Sequence, residues 1–147
     1  MSRGGVEGFR GDRLRRARRR AALSCAELAV AVDSNPNSIS RLERGEQKPP
    51  PTLLRRLAEV LEVASTYLAP LPAKPTLRHV RERAGLTGSE IARALGVSSG
   101  TVSTTERGVT HPRNAPAWAR AYGLDLTAFD AAWAHGRNAT ARRVKGP

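Results

Sequence analysis

The chain has 147 residues, with 25 Lys and Arg against 13 Asp and Glu, a formal net charge of +12 and one cysteine. A lone cysteine excludes an internal disulfide and suits a reducing cytoplasm. No apolar run approaches the roughly 20 residues of a spanning helix, and the N-terminus lacks the apolar core of a signal peptide. The cationic excess makes a polyanion the expected partner, nucleic acid before anionic membrane.

The segment LSCAELAVAVDSNPNSISRLERG at 23–45 returns 63 residues later as LTGSEIARALGVSSGTVSTTERG at 86–108. Between 14–49 and 77–112, 14 of 36 positions are identical without a gap. A repeat of this length predicts two small domains rather than one average one. Divided at Pro72, the first part holds 13 basic and 8 acidic residues and the second 12 and 5, so both copies are cationic. Of the 25 basic residues 22 are Arg, which suits a GC-rich bacterial coding sequence.

In chain order, residues 1–9 hold three glycines and little apolar material, and are expected to form a disordered arm. A helix is predicted over 12–21, with Leu14 and Ala17 inward and Arg15, Arg16, Arg19 and Arg20 outward. Ser24 and Glu27 fit the S-x-x-E capping box of a second helix, whose Leu28, Ala29 and Val32 face a core. Asp33 comes next, a residue that tolerates a left-handed turn, and Gly96 holds the same place in the second copy. Ser34 or Asn35 caps a third helix with Pro36 in its first turn; Ile39 and Leu42 face inward, and Asn37, Ser38 and Arg41 outward. Gly45 stops it. Thr52 is expected to cap a fourth helix over 53–62, and a short turn at 66–68 closes the core.

Pro70, Pro72 and Pro75 make 70–75 a stiff spacer of at most roughly 19 Å. The second copy repeats the apolar pattern through Leu77, Val80, Leu86, Ile91, Leu95 and Val102, with Thr87 and Glu90 as its capping box. Thr105 replaces the core Leu42, and its hydroxyl is expected to bond the carbonyl one turn earlier. Beyond Pro112 the offset falls to 61, placing Trp118 opposite Leu57 and Tyr122 opposite Leu61. Phe129 and Trp133 are expected to pack a fifth helix over 126–135, as core aromatics rather than base-stacking ones. Residues 136–147, with Arg137, Arg142, Arg143 and Lys145, read as a basic disordered tail.

These two stretches, with their flanking helices, resemble the helix-turn-helix domain of the phage-repressor and Cro type, often called Xre. The resemblance implies an all-α chain of two tandem five-helix lambda-repressor-like domains, at 10–69 and 76–135, joined by the Pro-rich linker. It also implies sequence-specific binding of double-stranded DNA, with each third helix in the major groove. The base-reading positions fall on Pro36, Asn37 and Arg41 in the first copy and on Ser99, Gly100 and Thr104 in the second. Phosphate contacts fall on Ser38, Arg44, Gly45 and Lys48, and on Thr101, Arg107, Gly108, His111 and Arg113. Arg18 with Glu43, and Arg81 with Glu106, occupy the positions of a structural ion pair between helices one and three. The family's phosphate-clamping Gln at the start of helix two is Cys25 in one copy and Gly88 in the other.

Arg41 and Asn37 can each bond a base edge at two points, whereas Ser99, Gly100 and Thr104 offer single weak contacts. The first copy is therefore the expected reader. The reading is a cytoplasmic, nucleoid-associated bacterial transcriptional regulator of the repressor kind, without a ligand-sensing domain. The rival is a protein-interaction module, antitoxin-like or accessory, that binds a protein through the second copy. An architectural factor of a mobile element is a variant of it. Pairing of two chains into a homodimer is compatible with either. No catalytic residues, cofactor or metal are expected: His79, His111 and His135 lack metal-ligand spacing, and no phosphate loop or nucleophile–base pattern occurs.

Overall fold

A computed structural model describes residues 5–146 of the chain. Within them the fold is all-helical: α1 (Gly11–Arg20), α2 (Cys25–Ala31), α3 (Pro36–Glu43), α4 (Pro51–Leu61) and α5 (Ser65–Leu68) are followed by α6 (Leu77–Arg83), α7 (Gly88–Leu95), α8 (Ser99–Glu106), α9 (Ala115–Ala121) and α10 (Leu126–Lys145). The chain divides into two compact units. One runs through Leu71 and takes in Glu82–Gly85, and the other comprises Pro72–Arg81 and Leu86 onward.

Each unit closes on its own apolar centre. In the first, Leu14, Leu28, Ile39, Leu42, Leu54, Leu57 and Leu68 are wholly buried. The second centres on Leu77, Ile91, Val102, Trp118, Tyr122 and Phe129. Aromatic bulk thus does in the second unit what leucine does in the first. Tyr122 lies near Trp118 in a stacked arrangement at 6.4 Å and meets Phe129 edge-on at 6.0 Å.

The turn between the second and third helix of each unit needs one residue in the left-handed region. Asp33 supplies it with φ 59° and Gly96 with φ 68°. At its N-terminus α3 is capped by Asn35, whose Oδ1 accepts from the Ser38 amide at 2.9 Å, and Pro36 opens the helix.

Three expectations fail. Val6 belongs to no disordered arm: it is fully buried in the first core and its amide donates to the Pro49 carbonyl at 2.8 Å. Residues 1–4 of that arm lie outside the described residues. Thr52 does not cap α4; the helix begins at Pro51 after an extended Pro50 and has no side-chain cap. The fixed φ of proline pre-sets that first turn without one.

The third concerns 136–147. Instead of a disordered tail, α10 continues unbroken to Lys145. Gly136 permits this, because a Cβ there would lie 2.3 Å from the Glu106 carbonyl oxygen. Without it the helix lies close along the end of α8. Thr140 Oγ1 then donates to the Arg107 carbonyl at 2.7 Å, and Arg137 Nη1 to the Gly108 carbonyl at 2.8 Å.

Candidate nucleic-acid interface

Two short helices meeting across a tight turn form the centre of each domain, and capping boxes start the first of each pair. The Glu27 amide donates to Ser24 Oγ at 3.0 Å while the Ser24 amide donates to Glu27 Oε1 at 2.8 Å. Those bonds, the one from the Ser24 backbone foremost, hold the Glu27 carboxyl below its usual range. Thr87 and Glu90 repeat the arrangement at 3.1 and 2.8 Å.

A buried carboxylate ties α3 to α1. Glu43 accepts from Arg18 Nε at 2.5 Å, from Arg18 Nη2 at 3.0 Å and from Arg15 Nε at 3.2 Å. Burial opposes its ionisation, but the bonds and charges of Arg18 and Arg15 outweigh that, and the carboxyl sits below its usual range. In the second domain Glu106 accepts from Arg81 Nε at 2.7 Å and Nη2 at 3.0 Å. There the further donor is Tyr122, whose hydroxyl donates at 2.7 Å. Burial, then the adjacent Glu106 charge, pushes that phenol far above its ordinary value. Sequence reasoning placed Tyr122 in the core and missed its hydroxyl, because its position matches Leu61, which carries none.

With α3 fixed at that end, its other side is open. Pro36, Asn37 and Arg41 are exposed, and Ser38 is half-buried beside them in the first turn. Arg41 makes no hydrogen bond among the described residues, although its charge helps, after Arg44, to lower the Glu46 carboxyl. Arg44 donates to Glu46 at 2.7 Å and to Ser40, and Lys48 donates to Glu7 at 2.8 Å. Such exposed pairs contribute little to stability, so these cations can exchange partners with a phosphate at small cost. Gly45 is different. Its amide is already donated to the Leu42 carbonyl at 3.2 Å, which makes it a helix stop rather than a phosphate donor.

The α8 surface is chemically plainer. Ser99, Gly100 and Thr101 are exposed, but Thr104 is half-buried and its hydroxyl donates to the Thr101 carbonyl at 3.1 Å. Thr105 does the same at 2.8 Å from its buried position. Ser98 caps the helix, its Oγ accepting from the Thr101 amide at 3.1 Å. Arg107 and Arg113 are exposed. His111 faces Asp130 at 3.4 Å and meets Trp133 edge-on at 4.8 Å. Gly108 cannot offer its backbone to phosphate: it is buried beneath Arg137, and its amide donates to Thr105.

Among the described residues no helix is long and apolar enough to cross a membrane, and no cluster of His, Cys, Asp and Glu could hold a metal ion. Paired helices in this geometry, repeated twice on a cationic chain, define the class of helix-turn-helix proteins, whose domains point to DNA binding. The helix-turn-helix domain family matches at residues 11–71 and again at 76–132, and the chain belongs to that family. No curated protein and no solved structure matches it.

Proposed function

We propose that this protein is a sequence-specific binder of double-stranded DNA and a bacterial transcriptional regulator of the repressor type, with domains of the Xre kind. Its first domain is the principal reader. The observation that carries this is the open face of α3, where Asn37 and Arg41 stand exposed on a helix anchored through Glu43. Arg41 suits the O6 and N7 of guanine, and Asn37 suits adenine. Ser38, Arg44 and Lys48 flank them as phosphate contacts, while Thr101, Arg107, His111 and Arg113 serve the second domain. The domains are taken as 10–69 and 76–135, and two linked modules raise each other's effective concentration on adjacent half-sites.

Enrichment of bound sequences from a random duplex pool tests the reading. A defined motif that depends on Asn37 and Arg41 supports it. A pool without enrichment refutes it in favour of the rival, a module that binds a protein through its second domain. One observation favours that rival: the Thr104 hydroxyl is spent inside its own helix, so α8 has little to offer a base. The cationic balance of the second half, 12 basic residues against 5 acidic, argues for DNA there too.

A further inference from the structure

The last two turns of α10 have no counterpart in the first domain, whose fifth helix is the four-residue α5. They carry Arg142, Arg143 and Lys145, and no acidic residue occurs after Asp130 in the chain. All three are exposed and none makes a hydrogen bond or ion pair among the described residues. Cations in the last turn of a helix favour its dipole, and that alone would explain one or two of them.

Their placement says more. Among the described residues three grooves run beside this helix: Arg142 lines one with Lys74, and Arg107 lines the other two. In one of those two, Gly136, Ala139 and Thr140 face Ser99 and Ser103 on the outer side of α8. Arg143 continues that face one turn further, since residues three and four apart share a side of a helix. In the other, Val144 and Lys145 face Arg107 and Val109, in the loop after α8. The helix is tied in place by Thr140 on the Arg107 carbonyl and Arg137 on the Gly108 carbonyl. The Arg137 guanidinium also sits over the Trp133 ring at 5.8 Å, so it is an anchor and not a free cation. What remains is a cationic ridge of Arg143 and Lys145 beside Arg107, next to the helix that is to enter the groove.

We propose that Arg143 and Lys145, with Arg142 beside them, grip the DNA backbone next to the segment met by α8. The inference rests on the DNA-binding reading and adds a phosphate site to it. In this scheme α10 supplies what the covered glycine loop of the second domain cannot. The second domain then holds the duplex through charge more than through bases.

The test uses the full chain and a mixed-sequence duplex of about 40 base pairs, titrated with salt. The variant R142Q/R143Q/K145Q removes charge and keeps the helix surface. Each lost phosphate contact should reduce the slope of log K against log salt by about 0.9, so the slope becomes shallower by about 2 to 3 units. Affinity should fall at least about tenfold near 0.1 M salt, equally for all sequences. A chain ended after Thr140 keeps both anchors and should show the same loss, whatever the helix end contributes to folding. An unchanged slope in both variants, with a steep slope in the parent, overturns the ridge and leaves the DNA reading intact. A parent chain that does not bind the duplex removes both. If the variants instead lose binding to anionic lipid vesicles while their DNA slope is unchanged, the ridge serves a membrane and the proposal is wrong.

Discussion

The loop after the third helix is open in the first domain and roofed in the second, although the two loops begin with the same Glu-Arg-Gly. Around Gly45 nothing lies within 4 Å of where a Cβ would be, whereas at Gly108 the same atom would meet the Arg137 backbone at 2.3 Å. The difference originates in the fifth helix of each domain. In the first domain a single turn, α5, closes the core through Leu68. In the second, twenty residues of α10 close it through Phe129 and then run past it. A duplicated domain has thus kept its central helix pair and changed its edge. The carboxylate tie differs as well, made with two arginines in one case and with an arginine and a tyrosine in the other.

The largest test of that contrast is removal of the shared arginine. Arg81→Ala leaves the Glu106 carboxylate buried with the neutral Tyr122 phenol still donating to it, and should cost about 3–5 kcal/mol. Arg18→Ala should sit at the low end, about 3 kcal/mol, because Arg15 stays beside Glu43. Denaturant unfolding of the two variants measures both, and equal losses would erase the distinction. The Glu43 carboxyl is lowered on folding, so its contribution is complete above its unfolded value near about 4.3 and is lost as pH falls through the lower folded value. The gap between the parent and Arg18→Ala should therefore be widest near neutrality and narrow in acid.

Next come the glycines. Gly136→Ala forces a Cβ against the Glu106 carbonyl and should cost about 2–3 kcal/mol, lifting the end of α10 from α8. Gly45→Ala meets no neighbour and carries only the strain of φ 76°, about 1 kcal/mol. Thermal melting ranks them. A harmless Gly136→Ala would mean that α10 is not seated on α8.

The helices proposed to read DNA, α3 and α8, supply a third comparison. Arg41→Ala should weaken binding to a selected site by about 1–3 kcal/mol and relax one base pair, while Thr104→Ala should cost well under ~1 kcal/mol. Competition against single-base variants of that site shows which helix reads. A larger loss from Thr104 would exchange the roles of the two domains. The smallest effect belongs to Thr105→Val, which trades a hydroxyl bonded within its own helix for a methyl in a buried site. Stability should change by less than ~1 kcal/mol in either direction, measured by melting.

Much of this architecture can be read from the chain because repetition supplies its own control. Asp33 and Gly96 share nothing but tolerance of a left-handed backbone, and both adopt it. The Arg18 and Arg81 positions meet their glutamates at matching distances. Features that occur once have no such check. Val6 is a single apolar residue among glycines, with no periodicity to mark it as core. Gly136 looks like the start of a tail, since sequence cannot show that a carbonyl from α8 needs the space where its side chain would be. Of the candidate interface, the exposure of Asn37 and Arg41 is legible in helical spacing. The loss of the Thr104 hydroxyl to its own backbone is not.

The aromatic core of the second domain has a practical corollary. Both tryptophans of the chain, Trp118 and Trp133, lie in that half. Trp118 is buried near Tyr122, while Trp133 donates its Nε1 proton to the Thr110 carbonyl at 2.9 Å, in the loop after α8. Excited at the red edge of the indole band, the chain is therefore optically silent in one domain and luminous in the other. Unfolding of the two halves can be separated without a label, by comparing indole emission with total helicity. Trp133 adds a local gauge, since release of α10 from the loop would expose its indole while Trp118 stayed dark to solvent.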